Sequence, residues 1–226
     1  MTIWRDLNDL ANAGLIERIR GGALAIERAQ FDLDSGYDRA QDPHAEKKRL
    51  IGYYVANNLI NEGDSITIEA GSTANSIIPY LNIPHLTVLT NGLLTSLLVY
   101  KSSSNIMLMC SGGVLIKNGA FIGPQVEDFF TNYHTQKAFL GAEGVTLEEG
   151  FTDSTPLYTH LKKVMSENAE QTIMMLDSSK IGFPSLVQVM KIKDINILVT
   201  DPAADPTIID TLNDNGIEVH IARVIE

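Results

Sequence analysis

Residues 65–73 read SITIEAGST, an apolar and β-branched run that passes directly into small and hydroxylated residues. A short run of this composition is typical of a buried strand. Because a helical apolar pattern follows over residues 74–81, the segment predicts a strand, a tight loop and a helix. Similar runs occur along the chain: LTVLT at 86–90, NIMLMC at 105–110, KAFLGA at 137–142, TIMMLD at 172–177, NILVT at 196–200 and IEVHIA at 217–222.

Helical patterns separate many of these strand candidates. They lie at residues 45–60, 74–81, 93–100, 126–133, 156–170 and 206–215. Strands that alternate with helices predict an α/β fold, in which a mainly parallel sheet is flanked by helices on both faces. The continuous apolar character of the strand candidates is typical of strands that are buried on both sides.

The bulk composition is that of a globular protein, with 44% hydrophobic and 20% charged residues among 226. The single cysteine, Cys110, excludes an intrachain disulfide and is predicted to be buried, because it ends an apolar run. The histidines lack metal-ligand spacing, so no metal or other cofactor is predicted. Neither a membrane-spanning run nor a signal-peptide pattern is present, which predicts a cytoplasmic protein without a membrane partner.

The chain divides into three segments of different character. Residues 1–28 are rich in arginine and aliphatic residues, residues 29–43 are polar and predict a linker, and residues 44–226 carry the strand–helix pattern of one domain. The net charge is −11, yet residues 1–28 hold equal numbers of arginines and acidic residues. All of the excess negative charge therefore lies in residues 29–226. If the protein binds DNA, the N-terminal segment must do so.

Small and polar residues follow most of the predicted strands. In a parallel sheet, the carboxyl ends of the strands meet at one edge, and ligands bind in the crevice there. Small residues let a ligand approach the backbone, and hydroxyl, amide, carboxylate and ammonium groups can bind it. This convergence predicts a site for a small polar ligand. The candidates are Gly71, Ser72, Thr73, Thr90, Asn91, Gly112, Gly113, Glu143, Asp177 and Lys180.

Two of these candidates, together with a lysine further along the chain, have both a functional and a structural interpretation. Ser72 and Thr73 lie near the start of a predicted helix, where free N–H groups favour a phosphate, but either residue could simply cap the helix. Lys162 lies beside the apolar stripe of its predicted helix. It could reach the crevice, or it could be a solvated surface lysine.

The charged residues that follow the later strands leave similar alternatives open. Glu143 and Asp177 could orient sugar hydroxyls, act as acid and base in a catalytic site, or cap adjacent turns. Lys180 could pair with a phosphate or with Asp177. The residues alone do not decide among these roles.

Two parts of the chain together resemble the DeoR family of bacterial transcriptional regulators. Residues 2–24, TIWRDLNDLANAGLIERIRGGAL, are similar to the end of its winged helix-turn-helix, with Trp4 in place of the usual arginine. Residues 44–226 resemble its C-terminal sensor domain. The matching pieces are IEAGST, LTNGL, SGGVLIKNGAFIGP, KAFLGAEGVTLEEGFTD, the helix that carries Lys162, and LDSSKIG.

The resemblance implies a sensor domain with a fold related to ribose-5-phosphate isomerase, and a repressor of sugar metabolism genes that is controlled by a phosphorylated sugar. It adds Lys162 to the ligand-site candidates above. The family usually has aspartate where this chain has Glu69 and Glu143, a difference of one methylene that can alter which sugar fits. A homo-oligomer is also implied.

For the N-terminal segment, the resemblance implies a partial winged helix-turn-helix made of a recognition helix and a wing. Operator DNA is then the second partner, and the implied contacts are Thr2, Trp4, Arg5, Arg18 and Arg20. Because the chain starts at the recognition helix, we expect these 226 residues by themselves to bind operator DNA weakly or not at all.

Three functions are compatible with the sequence. The first is a ligand-gated repressor, which the N-terminal resemblance favours. The second is an enzyme, a sugar-phosphate isomerase or related hydrolase, with Glu143 or Asp177 as base and Lys162 as electrostatic stabiliser. The third is a structural or oligomerisation module whose site no longer binds.

Overall fold

A computed structural model describes Leu7, residues 16–19 and 22–25, and residues 42–102 and 105–223. The chain separates into two compact units, Met1–Arg39 and Ala40–Glu226. The strands, in chain order, are β1 (Ile16–Ile19), β2 (Gly22–Ala25), β3 (Ser65–Ile68), β4 (Thr87–Thr90), β5 (Met107–Cys110), β6 (Val114–Leu115), β7 (Phe121–Ile122), β8 (Thr135–Leu140), β9 (Gly144–Thr146), β10 (Gly150–Asp153), β11 (Ala169–Met175), β12 (Val187–Met190), β13 (Ile197–Thr200) and β14 (Glu218–Ile221).

In the smaller unit, β1 and β2 form an antiparallel hairpin in which Ile19 pairs with Gly22. The hairpin lies where the sequence predicts the wing. Of the proposed DNA contacts, Arg18 is part of β1 and its Cα is opposite that of Ala23. The other four, Thr2, Trp4, Arg5 and Arg20, lie outside the residues that the structure describes.

The larger unit is built on a seven-stranded sheet with the order β14-β13-β11-β8-β3-β4-β5. Every neighbouring pair in this sheet is parallel. The predicted α/β class with a parallel sheet is therefore confirmed. The helices of this unit are α1 (Ala45–Asn58), α2 (Ser72–Asn75), α3 (Leu93–Ser102), α4 (Pro124–Thr131), α5 (Thr159–Glu167) and α6 (Pro206–Asp214).

Helices cover both faces of the sheet. Successive residues of each strand point to opposite faces, so neighbours in one strand pack into different cores. Phe139 of β8 packs into a core with residues of α1 and α3, whereas its neighbours Ala138 and Leu140 belong to a second core with residues of α4, α5 and α6. The central strands are thus buried on both faces, as their apolar runs predict.

The edge strand β5 corrects one part of that prediction. Met107 is 64% exposed and Cys110 is also exposed, so Cys110 is not a core residue. The reason is position, since β5 ends the sheet and has a neighbouring strand on one side only. The Cys110 thiol lies 3.0 Å from Oγ of Ser96, within reach of a weak hydrogen bond.

Two segments depart from the predicted helices. The pattern over 74–81 gives only the single turn α2 and a 3₁₀ turn at Ile78–Tyr80, because Pro79 has no N–H with which to continue the α-helical hydrogen bonds. The pattern over 156–170 begins as a 3₁₀ turn at Pro156–Tyr158 and becomes α5, which ends at Glu167. Strand β11 then starts at Ala169, three residues before the predicted start at 172.

Short antiparallel strands that the sequence does not predict complete the unit. Strands β12, β10 and β9 form a three-stranded sheet in that order, and β6 pairs with β7. All four residues of β10 are buried. This small sheet matters for the site, because β10 ends at Asp153, beside the carboxyl edge of the large sheet.

Candidate ligand site at the carboxyl edge of the sheet

A cleft of about 620 Å³, including its part open to solvent, lies at the carboxyl edge of the parallel sheet. The loops after β3 and β8 form its floor, and β10, α5 and the 3₁₀ turn Ser178–Lys180 contribute side chains. The cleft is lined by Glu69, Ala70, Gly71, Ser72, Thr73, Asn118, Ala120, Gly141, Ala142, Glu143, Asp153, Tyr158, Lys162 and Lys180.

Lys162 is the most deeply buried cation of the cleft, with 4% of its surface exposed. Its Nζ donates to Oδ2 of Asp153 at 2.7 Å and to the carbonyl oxygen of Gly141 at 2.8 Å. A carboxylate oxygen of Glu69 lies 3.5 Å away. Lys162 points inward because it borders the buried stripe of α5 formed by Leu161, Val164 and Met165.

The protonation of Lys162 follows from these partners. Burial favours the neutral amine, but the charges of Glu69 and Asp153 and their hydrogen bonds outweigh burial, so the pKa of Lys162 lies above its ordinary value. The side chain is therefore an ammonium group whose charge two carboxylates already balance. It is a fixed part of the cleft wall and not a free cation.

The two carboxylates that hold Lys162 also organise the backbone of the cleft. Oε2 of Glu69 accepts from the N–H of Gly141 at 3.1 Å, and Oδ1 of Asp153 accepts from the N–H of Glu143 at 3.1 Å. A Cβ on Gly71 would lie 2.7 Å from Oε2 of Glu69, so a larger residue here would require the Glu69 carboxylate to move. The loops after β3 and β8 are thereby joined at one point.

Another lysine, Lys48, contacts the loop after β3. The ammonium of Lys48, from α1, donates to Oγ of Ser72 at 3.0 Å. Ser72 and Thr73 begin the single turn α2, so their N–H groups have no acceptor within that helix. Ser72 does not cap the turn through its side chain; Gly71 occupies the N-cap position without a side-chain bond.

Lys180 faces the same region and is half-buried. Its Nζ donates to the carbonyl oxygen of Ala142 at 3.1 Å. Burial lowers its pKa; the charges of Lys48 and Lys162 act in the same direction, while those of Asp177 and Glu143 only partly oppose it. Burial and the neighbouring lysines thus outweigh the nearby carboxylates in disfavouring the charged form of Lys180.

The structure brings six of the eleven proposed ligand residues into the cleft: Gly71, Ser72, Thr73, Glu143, Lys162 and Lys180. The other five do not line it. Thr90 is buried and its Oγ1 accepts from the N–H of Gly92. Asn91 accepts from the N–H of Ala70 and donates to the carbonyl oxygen of Phe121. These two hydrogen bonds fix the loop after β3.

The remaining three candidates also have structural roles. Gly113 has a φ of +110°, and a Cβ there would lie 2.4 Å from a methyl of Val126, so only glycine fits. Its neighbour Gly112 has a φ of +62°. Asp177 is fully buried and caps the 3₁₀ turn through the N–H of Ser179, as the capping alternative describes.

Eight lining residues were not among the candidates, and four of them carry polar side chains: Glu69, Asn118, Asp153 and Tyr158. Asp153 lies in the segment GFTD at 150–153, but β10 carries no strand signal strong enough to place it opposite Lys162. Asn118 and Tyr158 hydrogen-bond to each other across the cleft entrance. Lys48 was missed as well, because its contact with Ser72 spans 24 residues and depends on the docking of α1.

The structure adds two negative findings. Across the part of the chain that it describes, no three His, Cys, Asp or Glu side chains come together in a group that could hold a metal ion. None of the helices within the described ranges has the length and apolar character needed to cross a bilayer.

Comparison with known families gives two matches that together span most of the chain. The family model for the DeoR C-terminal sensor domain matches residues 43–202. The family model for the DeoR-like helix-turn-helix domain matches residues 1–29. The two lie in the order in which the resemblance places a DNA-binding segment and a sensor domain.

Two transcriptional regulators are similar to this chain over most of its length. The HTH-type transcriptional repressor GlcR of Bacillus subtilis is 32% identical over 98% of this chain and 84% of its own length. The L-fucose operon activator of Haemophilus influenzae is 34% identical over 88% of this chain and 79% of its own length. Among solved structures, ribose 5-phosphate isomerase A of Methanocaldococcus jannaschii covers 61% of this chain and 55% of its own at 18% identity, with a TM-score of 0.45.

Proposed function

Because the chain belongs to the DeoR family of transcriptional regulators, we propose that it represses genes of sugar metabolism and that a phosphorylated sugar bound in the carboxyl-edge cleft controls it. The family membership supports the regulatory part. The cleft chemistry supports the ligand, since the same cavity presents the partly buried cation Lys180 and a set of groups that can bind hydroxyls.

One end of the cleft suits a phosphate. We define this anion end by Ser72, Thr73, Lys48 and Lys180. The position of two lysines carries the proposal: Lys180 lines the cleft together with Ser72 and Thr73, and the ammonium of Lys48 donates to Oγ of Ser72 at 3.0 Å. Burial lowers the pKa of Lys180, and an anionic ligand beside it would favour its charged form. The Ser72 hydroxyl and the first N–H groups of α2 add donors for phosphate oxygens.

The other end suits a polyol. We define this hydroxyl end by Glu69, Asp153, Asn118 and Tyr158. Carboxylate oxygens accept from sugar hydroxyls, and each carboxylate has more acceptor capacity than its contacts with Lys162 and the backbone use. Glu143 lies on the same wall and adds a third carboxylate.

A thermal-shift screen of the chain against phosphorylated sugars and the matching free sugars tests this function. Ligand at 100 times its dissociation constant adds about 2.7 kcal/mol to the free energy of unfolding, which raises the melting temperature by a few degrees. We expect a phosphosugar to raise it, its free sugar not to, and Ser72→Ala to reduce the shift. A screen in which no phosphosugar stabilises the protein, or in which Ser72→Ala responds like the wild type, would contradict the proposal.

We further propose that the ligand is bound without conversion. The ammonium of Lys162 is held by Asp153, Gly141 and Glu69, an arrangement that stabilises the fold whether or not a substrate is present. Incubation with ribose 5-phosphate checks the isomerase alternative. Turnover that Lys162→Ala abolishes would favour an enzyme instead.

DNA binding is assigned to the N-terminal unit. We propose that Thr2, Trp4 and Arg5 contact operator DNA from the recognition helix and that Arg18 and Arg20 contact it from the wing. Loss of one phosphate contact should weaken binding to every DNA sequence by a similar factor. It should also reduce the slope of log K against log salt concentration by about one. Arg18→Ala and Arg5→Ala, each placed in a protein that carries a complete winged helix-turn-helix and measured against operator and random duplexes, separate backbone contacts from base contacts.

We also propose that the protein is a homo-oligomer, in keeping with the family. Light scattering of the purified chain over a range of concentrations tests this, and a monomer at every concentration would contradict it.

A further inference from the structure

The first turn of α1 rests on the two loops that form the anion end of the cleft. The ammonium of Lys48 donates to Oγ of Ser72 at 3.0 Å, and the ammonium of Lys47 donates to Oγ of Ser178 at 2.7 Å. Nδ1 of His44 lies 4.0 Å from Oδ1 of Asp177. Side chains that follow β3 and β11 thus hold the start of α1.

Lys48 has a second partner that lies outside the cleft. Its ammonium is 2.6 Å from Oδ2 of Asp42. Asp42 stands at the start of the described part of the larger unit, where the chain arrives from the N-terminal unit. Lys48 is therefore shared between a cleft residue, Ser72, and the point at which the two units are connected.

Asp42 in turn fixes the beginning of α1. Its Oδ1 accepts from the N–H of His44 at 2.9 Å, and its carbonyl oxygen accepts from the N–H of Ala45 at 3.0 Å. Burial raises the pKa of Asp42, but the hydrogen bonds from Lys48 and from the His44 amide outweigh burial and lower it. The carboxylate is thus ionised, and its contact with Lys48 is a true ion pair.

This ion pair is one that a ligand can exchange. Lys48 and Asp42 are partly buried, with 14% and 27% of their side-chain surface exposed, so the pair is still accessible to water and to an anion at Ser72. A phosphate that accepts from the Ser72 hydroxyl lies within reach of Lys48, carries about two negative charges and offers three acceptor oxygens. It also repels the carboxylate of Asp42.

We propose that an anion bound at Ser72 takes Lys48 from Asp42, so that filling the cleft loosens the first turn of α1 at the junction with the DNA-binding unit. This inference rests on the proposed function, because it requires an anion at Ser72. The ligand then acts on the connecting segment through Lys48, which pairs with Asp42 in the empty site and with the anion in the filled site. Coupling of this kind is reciprocal, so weakening the Asp42–Lys48 pair must strengthen anion binding.

Inorganic phosphate is the probe, compared with chloride at equal ionic strength. Its dissociation constant is measured for the wild type, Ser72→Ala, Asp42→Asn and Glu46→Gln. Asparagine at position 42 retains an oxygen that can accept from His44 but loses the charge. Glu46 is the matched control, since it is a carboxylate on the same turn that pairs with Arg49 and is 70% exposed.

We expect Asp42→Asn to tighten phosphate binding by roughly three- to fivefold, the upper part of the range for one exposed ion pair, and Glu46→Gln to leave it unchanged within about twofold. In hydrogen exchange on the wild type, phosphate should speed the amides of His44 and Ala45, because the first turn of α1 opens more often once Asp42 has lost Lys48, and slow those of Ser72 and Thr73.

Two outcomes overturn the inference, and they are distinguishable. If phosphate does not bind the wild type, or if Ser72→Ala binds it equally well, the proposed site fails and the coupling fails with it. If binding depends on Ser72 but Asp42→Asn matches Glu46→Gln and the His44 and Ala45 amides do not respond, the site stands and only the coupling is wrong.

Discussion

Nζ of Lys162 lies 2.7 Å from Oδ2 of Asp153, and both side chains are buried. This pair joins α5 to the end of β10 and, through Glu69, to the loop after β3. We expect Lys162→Met to lower the free energy of unfolding by about 3–5 kcal/mol, because two carboxylates lose their buried counter-charge. Urea denaturation measures it. Lys163→Met, at the adjacent exposed lysine, is the control and should stay within about 0.5 kcal/mol.

A small effect of Lys162→Met, comparable with that of Lys163→Met, would show that Asp153 and Glu69 do not depend on the ammonium. The cleft wall would then be held by other contacts.

Asn91 should matter for stability and only indirectly for the ligand. Its side chain bonds the N–H of Ala70 and the carbonyl oxygen of Phe121. Asn91→Ala leaves both backbone groups without this partner and should cost about 2 kcal/mol in the free energy of unfolding. Denaturant titration of the empty protein checks this, and an unchanged midpoint would be incompatible with the bracing role.

Asn118 should behave in the opposite way. It is exposed at the cleft entrance and hydrogen-bonds to Tyr158. We expect Asn118→Ala to change the free energy of unfolding by less than about 0.5 kcal/mol but to weaken phosphosugar binding, since a polar contact to the ligand is worth about 1 kcal/mol. Calorimetric titration measures the affinity. If binding is unaffected, Asn118 does not contact the ligand.

The pH dependence of binding should report Lys180. Burial keeps the pKa of Lys180 in the folded protein below its ordinary value of 10.5. At a pH between the folded and unfolded pKa values, the unfolded chain therefore binds more protons than the folded protein does. Below the folded pKa, the charged Lys180 lowers the free energy of unfolding of the empty protein. This destabilisation disappears as the pH rises from the folded to the unfolded pKa. A phosphate favours the charged form, so its affinity should fall as the pH rises through the folded pKa of Lys180.

Lys180→Gln provides the comparison for this titration. The variant should bind the phosphosugar more weakly at neutral pH and lose the part of the alkaline pH dependence that Lys180 contributes, while Lys180→Arg should retain binding to higher pH. Equal pH profiles for the wild type and Lys180→Gln would place the phosphate elsewhere.

The sheet was predictable from the sequence, because buried parallel strands leave continuous apolar runs. The small polar residues that follow those runs also identified the edge at which the cleft lies. The roles of individual residues were less accessible. Asn91 and Ser72 follow neighbouring strands with similar chemistry, yet Asn91 satisfies backbone groups and Ser72 faces the cleft. Only the three-dimensional arrangement distinguishes a polar group that supports a loop from one that is available to a ligand.

Partners from distant or weakly patterned segments were not predictable. Asp153 ends a four-residue strand without apolar alternation, so nothing in its neighbourhood points to Lys162. Lys48 belongs to α1, and its contact with Ser72 depends on how that helix docks on the sheet. Cys110 shows the same limit in reverse, because an apolar run cannot reveal that its strand lies at the sheet edge.

The most direct test of the ligand site is a crystal structure of the protein with the phosphosugar that stabilises it best. The account predicts the phosphate at the anion end, within hydrogen-bond distance of Ser72 and Lys180, and the sugar hydroxyls towards Asp153 and Asn118. A ligand bound away from the carboxyl edge, or one whose phosphate points to solvent and leaves Lys180 without a contact, would contradict it.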